Sequence, residues 1–114
     1  AMLLRYLVHP ARLADIPLVD TVLAMAEATT RPAFEREQAA IIGRPDNRPF
    51  LKEIRVPTVV VVGAEDNLTP VKVAEEMHAG IAGSRLVVIP DCGHLSTLER
   101  PEAVSAALLD WLKM

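Results

Sequence analysis

Pro57-Thr58-Val59-Val60-Val61-Val62 is a continuous, mostly β-branched apolar run ending at Gly63. A run without polar alternation predicts a strand buried on both faces, as in a parallel sheet covered by helices above and below. Arg85-Leu86-Val87-Val88-Ile89 is a second strand. Between them, Thr69 and Pro70 give a helix start, and Val73, Met77 and Ile81 form one helical face. Gly80 and Gly83 then close the helix. A strand–helix–strand unit with one crossover makes its strands parallel, adjacent or nearly so, and connected with a right hand. The carboxyl ends of both strands then lie on one edge of the sheet, where open α/β sheets bind ligands.

The rest of the chain reads as helix and connector, and it divides near Pro49. Asp15 caps a helix with Pro17 in its first turn, and Leu18, Val19, Val22, Leu23, Met25 and Ala26 form a broad apolar face. Thr30 and Pro32 open a second helix carrying Phe34, Ile41 and Ile42, which Gly43 can end. Arg44-Pro45-Asp46-Asn47-Arg48-Pro49 is a turn-rich connector. Pro101 opens a last helix with Val104, Ala107, Leu108, Trp111 and Leu112 on one stripe. Residues 2–54 thus form a helical segment with its connector, and residues 55–114 a strand–helix–strand–helix unit.

Composition narrows the function classes. At 114 residues the chain is at most one domain, yet 51% of it is apolar, with a mean hydropathy of +0.26. A domain this small buries a limited fraction of its surface, which predicts apolar surface for something else to cover. The net charge of −3, scattered along the chain, argues against nucleic acid and anionic membranes as partners. One cysteine, Cys92, excludes an internal disulfide and fits a reducing, cytoplasmic setting. No apolar run approaches the roughly 18 to 20 residues of a membrane span. Ala1 ahead of Met2 reads as a residue left by tag removal, which would make Met2 the start.

Two residues carry the chemistry. Asp66 follows the first strand in Gly63-Ala64-Glu65-Asp66-Asn67-Leu68-Thr69-Pro70, and His94 follows the second in Pro90-Asp91-Cys92-Gly93-His94. A carboxylate that accepts the Nδ1–H of a histidine fixes its tautomer and leaves Nε2 free to act as a base. These stretches resemble the C-terminal end of an α/β-hydrolase, with Val56-Pro57 through Gly63 leading to Asp66. Leu98-Glu99-Arg100-Pro101-Glu102 follows His94 in the same pattern. In that family the triad runs in the order nucleophile, acid, base. The resemblance implies an α/β class and a partial α/β-hydrolase fold: two parallel strands with flanking helices, plus N-terminal cap-like helices. It also implies Asp66 as triad acid, His94 as triad base, hydrolysis of an ester or amide-type bond, and no organic or metal cofactor.

The chain departs from the family at the nucleophile. None of Ser84, Ser96 and Ser105 lies in a Gly-x-Ser-x-Gly elbow. The expectation is a chain that supplies acid and base but is inactive alone. The edge of its first strand would be covered by a second copy in a homodimer or by a missing N-terminal half; the second case includes a split hydrolase. As a remnant, the chain would instead be a self-associating structural protein. Glu65 is the rival carboxylate and is expected to face solvent. His9 and His78 are expected to be structural, Cys92 a small buried residue, and Arg44 and Arg48 solvated or salt-bridged. A metal site at Asp66 and His94 lacks the usual ligand spacing. The helix over 17–29 is read as core, with lining a substrate pocket as its alternative.

Overall fold

A computed structural model describes residues 3–114; Ala1 and Met2, with the reading of Met2 as a start, lie outside the described residues. Strands β1 (Val59–Gly63) and β2 (Arg85–Ile89) form one parallel two-stranded sheet, in register from Val59 with Arg85 to Gly63 with Ile89. The intervening helix, here αC, spans Val71–Gly80, a one-turn helix, αD, spans Ser96–Glu99, and the last helix, αE, spans Pro101–Trp111. Helices pack on both faces of the sheet, as its apolar strands require, but the cover over β2 is incomplete and Val88 stays 41% exposed. Val60 and Val62, with Leu86, pack on Ala74 and Val71 of αC. Val61, Val87 and Ile89 pack on the other side against Val104 and Ala103 of αE.

The helices of the first half begin where their caps predict. Asp15 accepts the Leu18 amide at 3.2 Å and starts αA (Ile16–Ala28). Thr30 caps αB (Arg31–Gly43) through the Ala33 amide at 3.4 Å. Each satisfies an amide that the first helical turn leaves without a partner. A short helical turn over Leu4–Leu7, a 3-10 turn over Pro10–Arg12 and a second over Arg48–Glu53 complete this half. The two halves share a core. Val8, Leu18 and Val22 pack with Leu95 and Leu98, which follow His94.

Three apolar faces are less buried than their periodicity predicts. On αA only Leu18 and Val22 are buried, on αB none, and on αE Val104 and Ala107. Leu108 and Leu112 stay exposed. Strands lie about 4.8 Å apart, so a two-stranded sheet is narrower than a helix with its side chains, and αE overhangs it. Trp111 at its far end is anchored by a hydrogen bond from Nε1 to the Pro57 carbonyl at 2.9 Å. On αC the buried face is Ala74 with Ile81 beyond the helix end, while Val73 and Met77 turn outward to line a cavity. Gly83 closes the turn after αC with a positive φ of 76°, a conformation that costs a residue with a side chain about 1 kcal/mol or more.

Candidate active site

The ends of β1 and β2 are tied into one platform. Ala64 donates to the Ile89 carbonyl at 2.8 Å, and Glu65 donates to the Cys92 carbonyl at 2.9 Å. The two loops touch at Gly63, where a side chain would overlap the carbonyl oxygens of Gly93 and Cys92. This close approach brings Asp66 and His94 together from distant points of the chain. His94 Nδ1 lies 2.9 Å from Asp66 Oδ2.

Asp66 is buried, and its carboxylate is fully used. Oδ1 accepts the amides of Leu68 at 2.9 Å and Thr69 at 2.8 Å, while Oδ2 accepts the Thr69 hydroxyl at 3.0 Å as well as the imidazole. Burial alone pushes this carboxyl up. The Thr69 amide, His94, the Leu68 amide and the Thr69 hydroxyl together outweigh it and hold Asp66 below its usual 3.8. A carboxylate so held accepts the imidazole Nδ1–H, the arrangement that frees Nε2 for proton transfer.

Because the folded state lowers the Asp66 pKa, the stability it contributes is present above the unfolded value near 3.8 and is lost as pH falls through the folded value. Urea unfolding midpoints should therefore fall more steeply below about pH 4 for the wild-type chain than for Asp66→Asn. Equal acid slopes for the two would contradict the hydrogen-bond network.

Val61, Gly63, Asp66, Thr69, His94 and Ser96 border a cavity of about 130 Å³ together with Val73 and Met77. Val73 and Met77 also wall a second cavity of about 360 Å³ that reaches Arg44 and Arg48. Arg48 is salt-bridged there, at 2.7 Å to Asp46 and 3.6 Å to Glu76, in keeping with the expectation for it. Ser96 borders the first cavity but makes no hydrogen bond to His94 among the described residues. Ser84 instead accepts from His78 Nδ1 at 2.8 Å and donates to its carbonyl at 3.1 Å, which makes both residues structural.

The neighbouring residues sort by the same geometry. Cys92 is fully buried, and burial first, then the negative charge of Glu99, pushes its thiol up to about 11, so it stays protonated at neutral pH. Glu65 does not simply face solvent. Its Oε2 accepts the Cys92 amide at 2.9 Å, because the sheet-end bonds bring that amide directly over it. His9, Glu65 and Asp91 bring one ligand atom each within 4.8 Å of one another. His9 Nδ1 accepts the Ala11 amide at 3.1 Å, so the neutral ring carries its proton on Nε2, the atom 3.8 Å from Glu65 Oε2. That leaves the ring no lone pair for a metal. Glu99, quoted only as part of a motif in the sequence, proves to be a buried carboxylate holding the His94 loop. A glutamate two residues before Pro101 carried no signal of that burial.

A model of the alpha/beta hydrolase fold matches residues 18–101. The chain belongs to the alpha/beta hydrolase fold family. It is 34% identical over 82 residues to a pimeloyl-[acyl-carrier protein] methyl ester esterase of Neisseria meningitidis serogroup C, covering 72% of this chain and 32% of that protein. It is 38% identical over 68 residues to a 2-hydroxy-6-oxononadienedioate/2-hydroxy-6-oxononatrienedioate hydrolase of Klebsiella pneumoniae, covering 60% of this chain and 24% of that protein. Among solved structures, MGS-M2, an alpha/beta hydrolase enzyme from a Medee basin deep-sea metagenome library, superposes with a TM-score of 0.80 at 25% identity, over 97% of this chain and 42% of that one. The chain therefore spans about a quarter to a third of the length of these curated relatives. No helix among the described residues is long and apolar enough to cross a membrane.

Proposed function

We propose that this chain supplies the acid and the base of a serine-type hydrolase triad, with Asp66 orienting His94 and His94 moving the proton. The 2.9 Å contact between a buried, fully hydrogen-bonded carboxylate and the imidazole Nδ1 carries this reading. In the first step His94 Nε2 takes the proton of a serine hydroxyl as its oxygen attacks an ester or amide-type carbonyl. The protonated ring then delivers that proton to the leaving group, and a water repeats the cycle to release the acid. Asp66 stabilises the imidazolium and never needs to be protonated. The serine and the oxyanion donors come from outside these 114 residues, as no elbow is present in them.

The test is reconstitution. The 114-residue chain alone should be blank against a p-nitrophenyl ester. Joined to, or mixed with, the nucleophile-bearing portion of a related hydrolase, it should turn over the ester, and His94→Ala should abolish that turnover. Ester hydrolysis by the isolated chain that His94→Ala removes would contradict the external nucleophile. A reconstituted enzyme indifferent to His94→Ala would contradict the whole reading.

The same chain presents an uncovered strand edge. β1 pairs only with β2 among the described residues, and an open edge of apolar residues invites pairing with a further strand. In isolation this edge pairs with a second copy across a two-fold axis. Sedimentation at micromolar concentration should show a dimer that the nucleophile-bearing portion disperses. A monomer would contradict it.

A further inference from the structure

Glu99 is 3% exposed, and both of its carboxylate oxygens accept backbone amides. Oε1 takes the His9 amide at 2.7 Å and Oε2 the Gly93 amide at 3.1 Å. Its own carbonyl accepts from Arg12 Nη1, and Arg12 Nη2 is fixed by Asp15 Oδ2 at 2.6 Å. On the other side of His94, the Leu95 amide donates to the Leu7 carbonyl at 3.0 Å. Gly93 lets these segments meet, since a side chain there would lie 2.6 Å from the Val8 carbonyl carbon. The backbone before and after His94 is thus held against residues 7–9. A buried carboxylate is tolerated only where its oxygens are hydrogen-bonded, and here both partners belong to the seat of the histidine.

We propose that Glu99 is the positioning residue of His94. It clamps the Gly93–Leu95 backbone to the Leu7–His9 segment, so that the ring meets Asp66 Oδ2 in a single tautomer. The cap-like half of the chain thereby helps to set the base. The proposal rests on the reading of His94 as that base. Glu99 itself neither reaches the cavity lining nor shares a hydrogen bond with Asp66 or His94.

Long-range proton–nitrogen correlation spectra of the imidazoles in the 114-residue chain at neutral pH test this directly. In the wild type, His94 should appear as the Nδ1–H tautomer, because Nδ1 faces a carboxylate. His78 should too, because the Ser84 hydroxyl already donates to the His78 carbonyl and so accepts from Nδ1. In Glu99→Gln the side-chain amide can accept only one of the two N–H groups. His94 should lose its single-tautomer pattern and the Gly93 amide should exchange about tenfold faster or more, with His78 unchanged. His9→Pro breaks the clamp from the other end, by removing the N–H that Glu99 Oε1 accepts. The His9 φ of −56° and the extended Val8 before it both suit proline. It should disturb His94 in the same way, while His9→Ala, which keeps the amide, should not. An unchanged His94 in both the Gln and the Pro variants overturns the proposal. So does a His78 signal that shifts together with His94, or loss of folding in both variants, since either marks general support of the fold. A wild-type His94 that is not Nδ1–H would instead sink the acid–base reading and leave the clamp's effect on the backbone measurable by exchange.

Discussion

Asp66→Asn, placed in a reconstituted hydrolase, is expected to lower kcat by about four orders of magnitude with KM nearly unchanged. The substitution keeps the shape of the site. Asn Oδ1 can still accept the Leu68 and Thr69 amides that Asp66 Oδ1 accepts now. The NH₂ group then replaces Oδ2, the atom 2.9 Å from His94 Nδ1. A donor facing Nδ1 drives the ring's proton to Nε2, and an Nε2 that carries a proton cannot take one from serine. His94→Ala, which removes the proposed base outright, should cost at least as much. Because the two act as one unit, the double variant should be little worse than His94→Ala alone. A loss under tenfold for Asp66→Asn, or additive losses in the double variant, would remove Asp66 from the role of acid.

Gly63→Ala is the second large effect, and it acts on the fold. A methyl group at Gly63 would press on the carbonyls of Gly93 and Cys92, which are backbone atoms that cannot rotate away. Relief requires the His94 loop to move off the end of β1, breaking the bonds from Ala64 to Ile89 and from Glu65 to Cys92. The expected cost is about 3 kcal/mol, the upper end for overpacking a tight contact. It would be read as a fall in the urea midpoint. Gly43→Ala gives the control. That residue ends αB with nothing within 4 Å of the added methyl, so it should be neutral or stabilise by up to about 1 kcal/mol. If the two variants unfold at the same denaturant concentration, the loop contact at Gly63 is not the constraint described.

The strands, the crossover helix and the two cap residues Asp15 and Thr30 were readable because their signals are local. A β-branched run, a Pro in a first turn and an Asp before an apolar face each act on their own neighbours. The meeting of Asp66 with His94 was readable for a topological reason: a single crossover puts both strand ends on one edge. The burial of the helical stripes was not. Leu23 and Met25 on αA, Ile42 on αB and Leu108 on αE share the periodicity of core residues but remain exposed. Periodicity states which side of a helix is apolar, and only the packed neighbours decide how much of that side is covered.

The charged residues divide in the same way. Glu65 looked like a solvated rival to Asp66, yet it accepts the Cys92 amide, and Glu99 carried no local sign of burial although it is almost fully enclosed. Both are decided by backbone amides from segments far away in the chain. The sequence by itself determined a parallel strand–helix–strand unit with an acid and a histidine at one edge, because strand burial, helix capping and crossover handedness follow from local residue order. Only the tertiary structure decided how that histidine is held, through Gly63, Gly93, Glu99 and residues 7–9. Close approach and burial arise from where distant backbones pass one another, and no single stretch of sequence encodes that.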